Sequence, residues 1–258
     1  MELDSVKRVG MSAALKGAAV LRSYFGKVKN ISKKGAIDLV TEADMNSEKV
    51  IIETIKNVFP DHSIFAEESG LNDQASKYQW IIDPLDGTTN YAHHVGLFAI
   101  SIAFAMNQDI LFAIVLNPIT EELFTATKGK GAMLNNRKIE VSTVDKVSES
   151  LLVTGFPYNF KRLFNPLMKR FSNCLGAAQG VRRLGSAALD LCYVACRRFD
   201  GFWEQNLQPW DTAAGVLIAR EAGAIVTDFS NQPFTVDQKE ILATNGKIHE
   251  ELLEILKI

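Results

Sequence analysis

The 258-residue sequence predicts an α/β fold with α+β character, built on two sheets, and three observations predict it. Short apolar runs bounded by turn residues succeed one another through the first half. Strand-like and helix-like periods alternate through the second. A composition 47% hydrophobic and 22% charged is that of an ordinary globular chain, long enough for one large α/β domain or two sharing an interface.

Apolar residues Leu3, Val6, Val9, Ala13, Ala14, Val20, Leu21 and Tyr24 recur at near-helical spacing and predict a long helix over residues 3–25. The polar, Gly-containing stretch 29–35 is a candidate mobile loop. After it come DLVTEAD (38–44) and a second helical pattern through Val50, Ile51, Ile55 and Val58, stopped by Pro60. Apolar runs at 63–66, 78–82, 99–106, 110–116 and 122–126 read as consecutive strands of one largely antiparallel sheet, with turns at Asn107-Gln108-Asp109 and Asn117-Pro118. KGKGA (128–132) lacks the spacing of a phosphate-binding loop and is expected to be a hairpin turn.

From about residue 141 the pattern changes. Strands are expected at 151–154, 181–184, 201–204, 224–227 and 240–244, and helices at 164–174, 186–196, from Trp210 onward, and at 247–256. The chain therefore divides into an N-terminal α+β half, 1–140, and a smaller C-terminal α/β half, 141–258. No internal repeat interrupts either.

With 28 Lys+Arg against 30 Asp+Glu the net charge is −2, and no polybasic run provides a face for nucleic acid or anionic lipid. The opening segment MELDSVKRVGMSAALKGAAVL does not read as a secretory signal and no apolar stretch is long enough to span a bilayer, so a cytoplasmic location is expected. Cys174, Cys192 and Cys196 have neither CxxC spacing nor a nearby histidine pair, and read as buried thiols. No GxGxxG joins a strand to a helix, which sets aside a dinucleotide-dependent oxidoreductase.

The chemistry concentrates in acidic clusters. In WIIDPLDGTTN (80–90) an apolar strand ends in Asp83 and Asp86, three apart across Pro84. Their carboxylates and the Leu85 carbonyl can face one point, a donor set suited to a hard cation such as Mg²⁺. Gly87 and Thr88 follow as candidate N–H donors to a phosphate. FAEES (65–69) offers Glu67 and Glu68 at the end of another strand, and WDTAAG (210–215) places Asp211 where a helix begins. Each cluster also has a plain structural reading: a turn for DPLDGTTN, a solvated loop for the glutamates, a helix cap for Asp211 and for the Thr41–Asp44 pair of DLVTEAD. Cap and catalyst are compatible, because a Thr–Asp pair can also orient a water. His93 and His94, next to the phosphate loop, are expected at the surface.

In this order DLVTEAD, AEES, DPLDGTTN and WDTAAG resemble the signature set of the inositol monophosphatases, within the lithium-sensitive, Mg²⁺-dependent phosphatases. The resemblance extends over nearly the whole chain, through GKGA (129–132), RRLGSAALD (182–190) and EAGA (221–224). It implies a layered αβαβα sandwich acting on a small phosphate ester, foremost inositol 1-phosphate, as a homodimer. It further implies one metal on Glu67, Asp83 and the Leu85 carbonyl, a second on Asp83, Asp86 and Asp211, and a third, weaker one on Glu67. Thr88, supported by Asp44, and Glu67 would hold the attacking water. The amides of Gly87 and Thr88, with Lys33, would meet the phosphate. Asp86, Glu204 and the turn of Gly185, Ser186 and Ala187 would meet substrate hydroxyls. Ala66 departs from the pattern, since many members carry glycine there. Fructose 1,6-bisphosphate, a 3′-phosphonucleotide or histidinol phosphate are rival substrates, and a non-catalytic regulatory binding protein is a rival of another class.

Overall fold

The computed structural model describes residues 3–27, 31–33, 39–72, 74–157 and 160–258, the side chains of 31–33, 39 and 40 apart. It opens with helix α1 (Leu3–Tyr24), a two-stranded ribbon of β1 (Ile31–Lys33) and β2 (Leu39–Thr41), and helix α2 (Glu42–Lys56). Strands β3 (Ser63–Ala66), β4 (Gly70–Asn72) and β5 (Tyr78–Asp86) follow, then a short helix α3 (Thr88–Ala92). A meander of β6 (Ala99–Met106), β7 (Asp109–Asn117), β8 (Glu122–Thr127), β9 (Ala132–Leu134) and β10 (Arg137–Ile139) completes an eight-stranded sheet. Its order is β10-β9-β8-β7-β6-β5-β3-β4, antiparallel throughout except for the β3–β5 pair.

The second half alternates: β11 (Leu151–Thr154), α4 (Phe164–Ala177), β12 (Gly180–Arg182), α5 (Ala187–Ala195), β13 (Gly201–Gln205), α6 (Pro209–Glu221), β14 (Ile225–Thr227), β15 (Glu240–Thr244) and α7 (His249–Leu256). Its five strands form a mixed sheet in the order β12-β11-β13-β15-β14. The small pieces β1, β2, β4, β9, β10 and α3 were not expected from the sequence. They are three to five residues long, too short for a period to register. The turn at 128–131 joins β8 to β9, the hairpin expected of KGKGA.

Alternation along the strands builds the layers. Trp80, Ile82, Ile100, Ile102 and Phe104 point to one face of the large sheet and pack with Val6, Leu21, Ile51 and Ile55 of α1 and α2. Ile81, Ala99, Ala103, Ala113 and Val115 point to the other, where α5 and α6 lie, and those helices meet Val153, Phe202, Ile241 and Ala243 of the second sheet beyond them. Leu152, Trp203 and Leu242, on that sheet's far side, are covered by Cys174 of α4 and by Leu252 and Leu256 of α7. The layers therefore run αβαβα, and the middle helices share one core with both sheets. Small alanines on the inner face of the first sheet let α5 and α6 sit close. Cys174 and Cys192 are buried and Cys196 partly so. No helix among the described residues is long and apolar enough to cross a membrane.

Candidate active site

The apolar strand expected to end in Asp83 and Asp86 does so, and it runs past Pro84, where the plain alternative was a turn. Pairing of β5 with β6 continues to Asp86 opposite Ala99, with a register shift between Asp83 and Asp86. Pro84 has no N–H to lose from the ladder, and a bulge re-aims the side chains on either side of it. Asp83 is buried, and its Oδ1 accepts the Leu85 N–H at 2.9 Å. Parallel pairing places Ala66 of β3 opposite Ile82 of β5, and the next residue, Glu67, donates its N–H to the Ile82 carbonyl at 3.1 Å.

Beyond the bulge Gly87 adopts φ +102°, a left-handed conformation that favours glycine. A Cβ there would stand 3.1 Å from the Leu97 carbonyl and 3.2 Å from that of Gly185. Gly87 is the N-cap of α3, so the amides of Gly87 and Thr88 lie at a helix start that no side chain caps. The Thr88 hydroxyl lies 3.1 Å from Asp44 Oδ1 and 3.1 Å from the Leu85 carbonyl. Asp44 in turn accepts from the Thr41 N–H at 2.8 Å and the Thr41 hydroxyl at 2.5 Å, closing the capping box of α2. Cap and site are here the same two residues.

The second half closes on the first through Asp86. Its Oδ2 accepts from the Ser186 hydroxyl and from the Ala188 N–H, each at 2.7 Å, at the start of α5. Asn90 clamps the same corner by donating to the carbonyls of Leu97 and Leu184 at 2.7 and 2.8 Å. Asp211, in the first turn of α6, accepts the Gln208 N–H at 2.7 Å. The helix-cap reading of Asp211 is thus structurally true as well. Trp210 sets that helix start by packing edge-on against Phe65 and accepting from Ser101 on β6.

Glu67, Asp83, Leu85, Asp86, Gly87, Thr88, Gly185, Ser186, Ala187, Glu204 and Asp211 all line one cavity of about 380 Å³. Asp44 stands behind it, reached through Thr88. The side chain of Lys33 lies outside the described residues. His93 and His94 are exposed and are absent from the cavity lining. Sequence reasoning passed over Gly155, Arg183 and Asp190, which also line the cavity, and the role of the Ser186 hydroxyl in holding Asp86. Their signal lay in RRLGSAALD, but only the fold brings that stretch to the end of β5.

The electrostatics are those of crowded, buried acids. Burial first, then the like charges of Glu67, Asp86 and Asp211, hold the Asp83 carboxyl well above its ordinary range. Burial also raises Asp211, Asp44 and Glu204, the last to about 8. Asp86 reaches only about 6, because the Ser186 hydroxyl and the amides at the start of α5 stabilise its charged form. Among the described residues lining the cavity, Arg183 is the sole cation.

This donor set is all oxygen, clustered and short of positive charge, which fits Mg²⁺ and not a soft metal. Among the described residues no three such side chains are already drawn onto a common point. Asp83, Asp86 and Asp211 each turn an oxygen to a protein donor instead, as mutual repulsion demands. A divalent cation would offset that repulsion and lower their proton affinity.

Residues 2–258 match the model of the inositol monophosphatase family. The chain is 46% identical over 257 residues to an inositol-1-monophosphatase of Synechocystis, covering 99% of this chain and 90% of that one. It is 44% identical to the Nus factor SuhB of Vibrio cholerae over 88% of this chain and 85% of the other. Among solved structures, the extragenic suppressor protein suhB of Bartonella henselae superposes with a TM-score of 0.94 at 39% identity, covering 98% of each chain.

Proposed function

We propose, on the premise that this chain belongs to the inositol monophosphatase family and is a phosphatase, that it hydrolyses inositol 1-phosphate and related small polyol phosphates by direct attack of water. The observation that carries the reading is the convergence of Glu67, Asp83, Asp86 and Asp211 on one cavity beside the Thr88–Asp44 pair. Glu67, Asp83 and the Leu85 carbonyl would hold one Mg²⁺, and Asp83, Asp86 and Asp211 a second, with a third leaning on Glu67. When bound, Mg²⁺ supplies charge neutralisation to the phosphate and acidifies water.

The remaining work belongs to the chain. Thr88 Oγ1, its own proton directed to Asp44 Oδ1, keeps lone pairs free to accept from a water and so aims that water's oxygen. Glu67 takes the water's second proton as the water oxygen bonds to phosphorus and the ester P–O bond breaks, and solvent water protonates the departing alkoxide. The amides of Gly87 and Thr88, with Lys33, bind the phosphoryl oxygens, and the bulged strand end fixes their distance from Asp83. Asp86, Glu204 and the turn at Gly185, Ser186 and Ala187 meet the alcohol. No side chain need bond covalently to phosphorus. The same reading takes the protein as a cytoplasmic homodimer.

The test is phosphate release from inositol 1-phosphate, fructose 1,6-bisphosphate and 3′-phosphoadenosine 5′-phosphate, each with Mg²⁺, with EDTA and with added Li⁺. Fast, Mg²⁺-dependent, lithium-inhibited release from the inositol ester is expected. Preference for another ester keeps the chemistry and changes the substrate. The similarity to a Nus factor favours a second reading, a regulatory binding protein, and release from none of the three would move the conclusion there.

A further inference from the structure

Asp190, the last residue of RRLGSAALD, sits one turn into α5 with no exposed surface, and neither of its carboxyl oxygens has a hydrogen-bond partner. Among the described residues it is the one buried side chain left so. Buried polar groups are almost always paired, so an orphaned acid marks a place where something else supplies the partner. Helical side chains lean toward the N-terminus, which directs this carboxyl back toward the Ser186 end of α5 and the cavity it lines. Glu204 lines the same cavity.

Glu204 reaches the cavity from β13. A Cβ on Gly155 would stand 2.1 Å from its Oε2 and 2.3 Å from its Cδ and Oε1. The Glu204 carboxyl therefore lies against the bare Cα of Gly155, where any other residue would displace it. Burial disfavours a charge on either acid. Two carboxyl groups lining one cavity, one of them with no partner in the protein, offer a hydroxyl, itself donor and acceptor, the oxygens it requires.

We propose that Asp190 is a specificity-determining residue: its unpaired carboxyl and that of Glu204 line the cavity together beside Gly155, so that this wall selects polyol phosphates over esters of alcohols without hydroxyls. The inference rests on the polyol reading given above and extends its selectivity to Asp190 as well as Glu204. An aryl leaving group would bury both acids unmatched, the situation in which a polar site discriminates most strongly.

The experiment compares kcat and KM for inositol 1-phosphate, or whichever hydroxyl-bearing ester the native protein turns over fastest, with those for 4-nitrophenyl phosphate. In Asp190→Ala the ratio of kcat/KM between the two esters should fall about tenfold, through KM, and Asp190→Asn, which keeps a donor and an acceptor in place, should recover most of it. Glu204→Gln combined with Asp190→Ala should lose no more than the larger single change. Gly155→Ala, which pushes Glu204 from the other side, should reproduce the fall and serves should Asp190→Ala fail to fold by circular dichroism.

An equal loss on both esters, or additive losses in the double variant, would overturn the proposal. A native protein that prefers 4-nitrophenyl phosphate overturns the polyol reading and this inference with it. A native preference for the polyol that survives both Asp190→Ala and Gly155→Ala overturns this inference alone.

Discussion

At the first-sheet end of the cavity Asp83, Asp86 and Asp211 each accept a hydrogen bond from the protein, whereas at the second-sheet end Asp190 has none and Glu204 rests on Gly155. Asp83, Asp190 and Glu204 are buried, and Asp86 and Asp211 half-buried. Asp86, with three donors from the start of α5, is raised to about 6, and Glu204, opposed chiefly by Arg183, to about 8. The contrast shows how one cavity hosts two chemistries. The Ser186 hydroxyl and the amides of α5 keep Asp86 the nearer of the two to ionising, which suits a cation, while Glu204, raised to about 8 without such donors, keeps its proton near pH 7 and suits a hydroxyl.

The sharpest way to break the comparison is at Asp83, the carboxylate that three others crowd. Asp83→Asn should lower kcat by roughly a thousandfold and abolish stabilisation by Mg²⁺, read by thermal melts with and without the ion. A variant still stabilised by Mg²⁺ would place the cation elsewhere.

Next in size is the water-orienting pair. Thr88→Ala should cost about a hundredfold in kcat with little change in KM, and Thr88→Ser, which restores the hydroxyl beside Asp44, should regain most of that. A KM effect alone would assign Thr88 to binding.

Third comes pH. Carboxyls whose folded pKa lies above the unfolded value contribute stability that is full below about 4 and lost as pH rises through the folded pKa. In EDTA the melting temperature should therefore fall on the order of 5 °C between pH 4 and pH 9. The share of Asp86 ends near pH 6, and that of Glu204 runs from its unfolded pKa on to about 8, beside the shares of Asp83, Asp190 and Asp211. Glu204→Gln should make the fall shallower all the way up to about pH 8, and Mg²⁺ should offset the share that belongs to Asp83, Asp86 and Asp211. A melting temperature that rises across this range would contradict the arrangement.

The smallest effect tests the joint between the two ends. Ser186→Ala removes one of the donors on Asp86 and the N-cap of α5, and should cost about 1 kcal/mol of stability with roughly fivefold weaker Mg²⁺ activation. An unchanged Mg²⁺ titration would show that the Ala188 amide suffices.

Much of this was legible in one dimension. The helices α1, α2 and α5 and the strands β3, β6 and β15 were readable because each carries a full period of apolar residues or a capping signal, such as Thr41 with Asp44. The acidic clusters were legible as well, because Asp83, Asp86 and Glu67 follow apolar strands where a solvated turn would be the alternative. What remained hidden had no local signature. The apolar run of β5 stops at Ile82 in sequence, yet its ladder continues to Asp86 through a bulge at Pro84. Asp190 reads as one more residue of a helical stretch.

Periodicity and residue type are properties of short segments, so the two-sheet α/β class and the list of chemical groups were readable along the chain, and the layer order only through the family resemblance. The tertiary structure alone decided which groups share a cavity and which stay unpaired. Asp86 and Ser186 are 100 residues apart and 2.7 Å from contact to contact. Gly155 and Glu204 define each other only where β11 and β13 lie side by side. Hydrogen bonding and burial depend on distance in space, and chain order carries no record of that until the strands have paired.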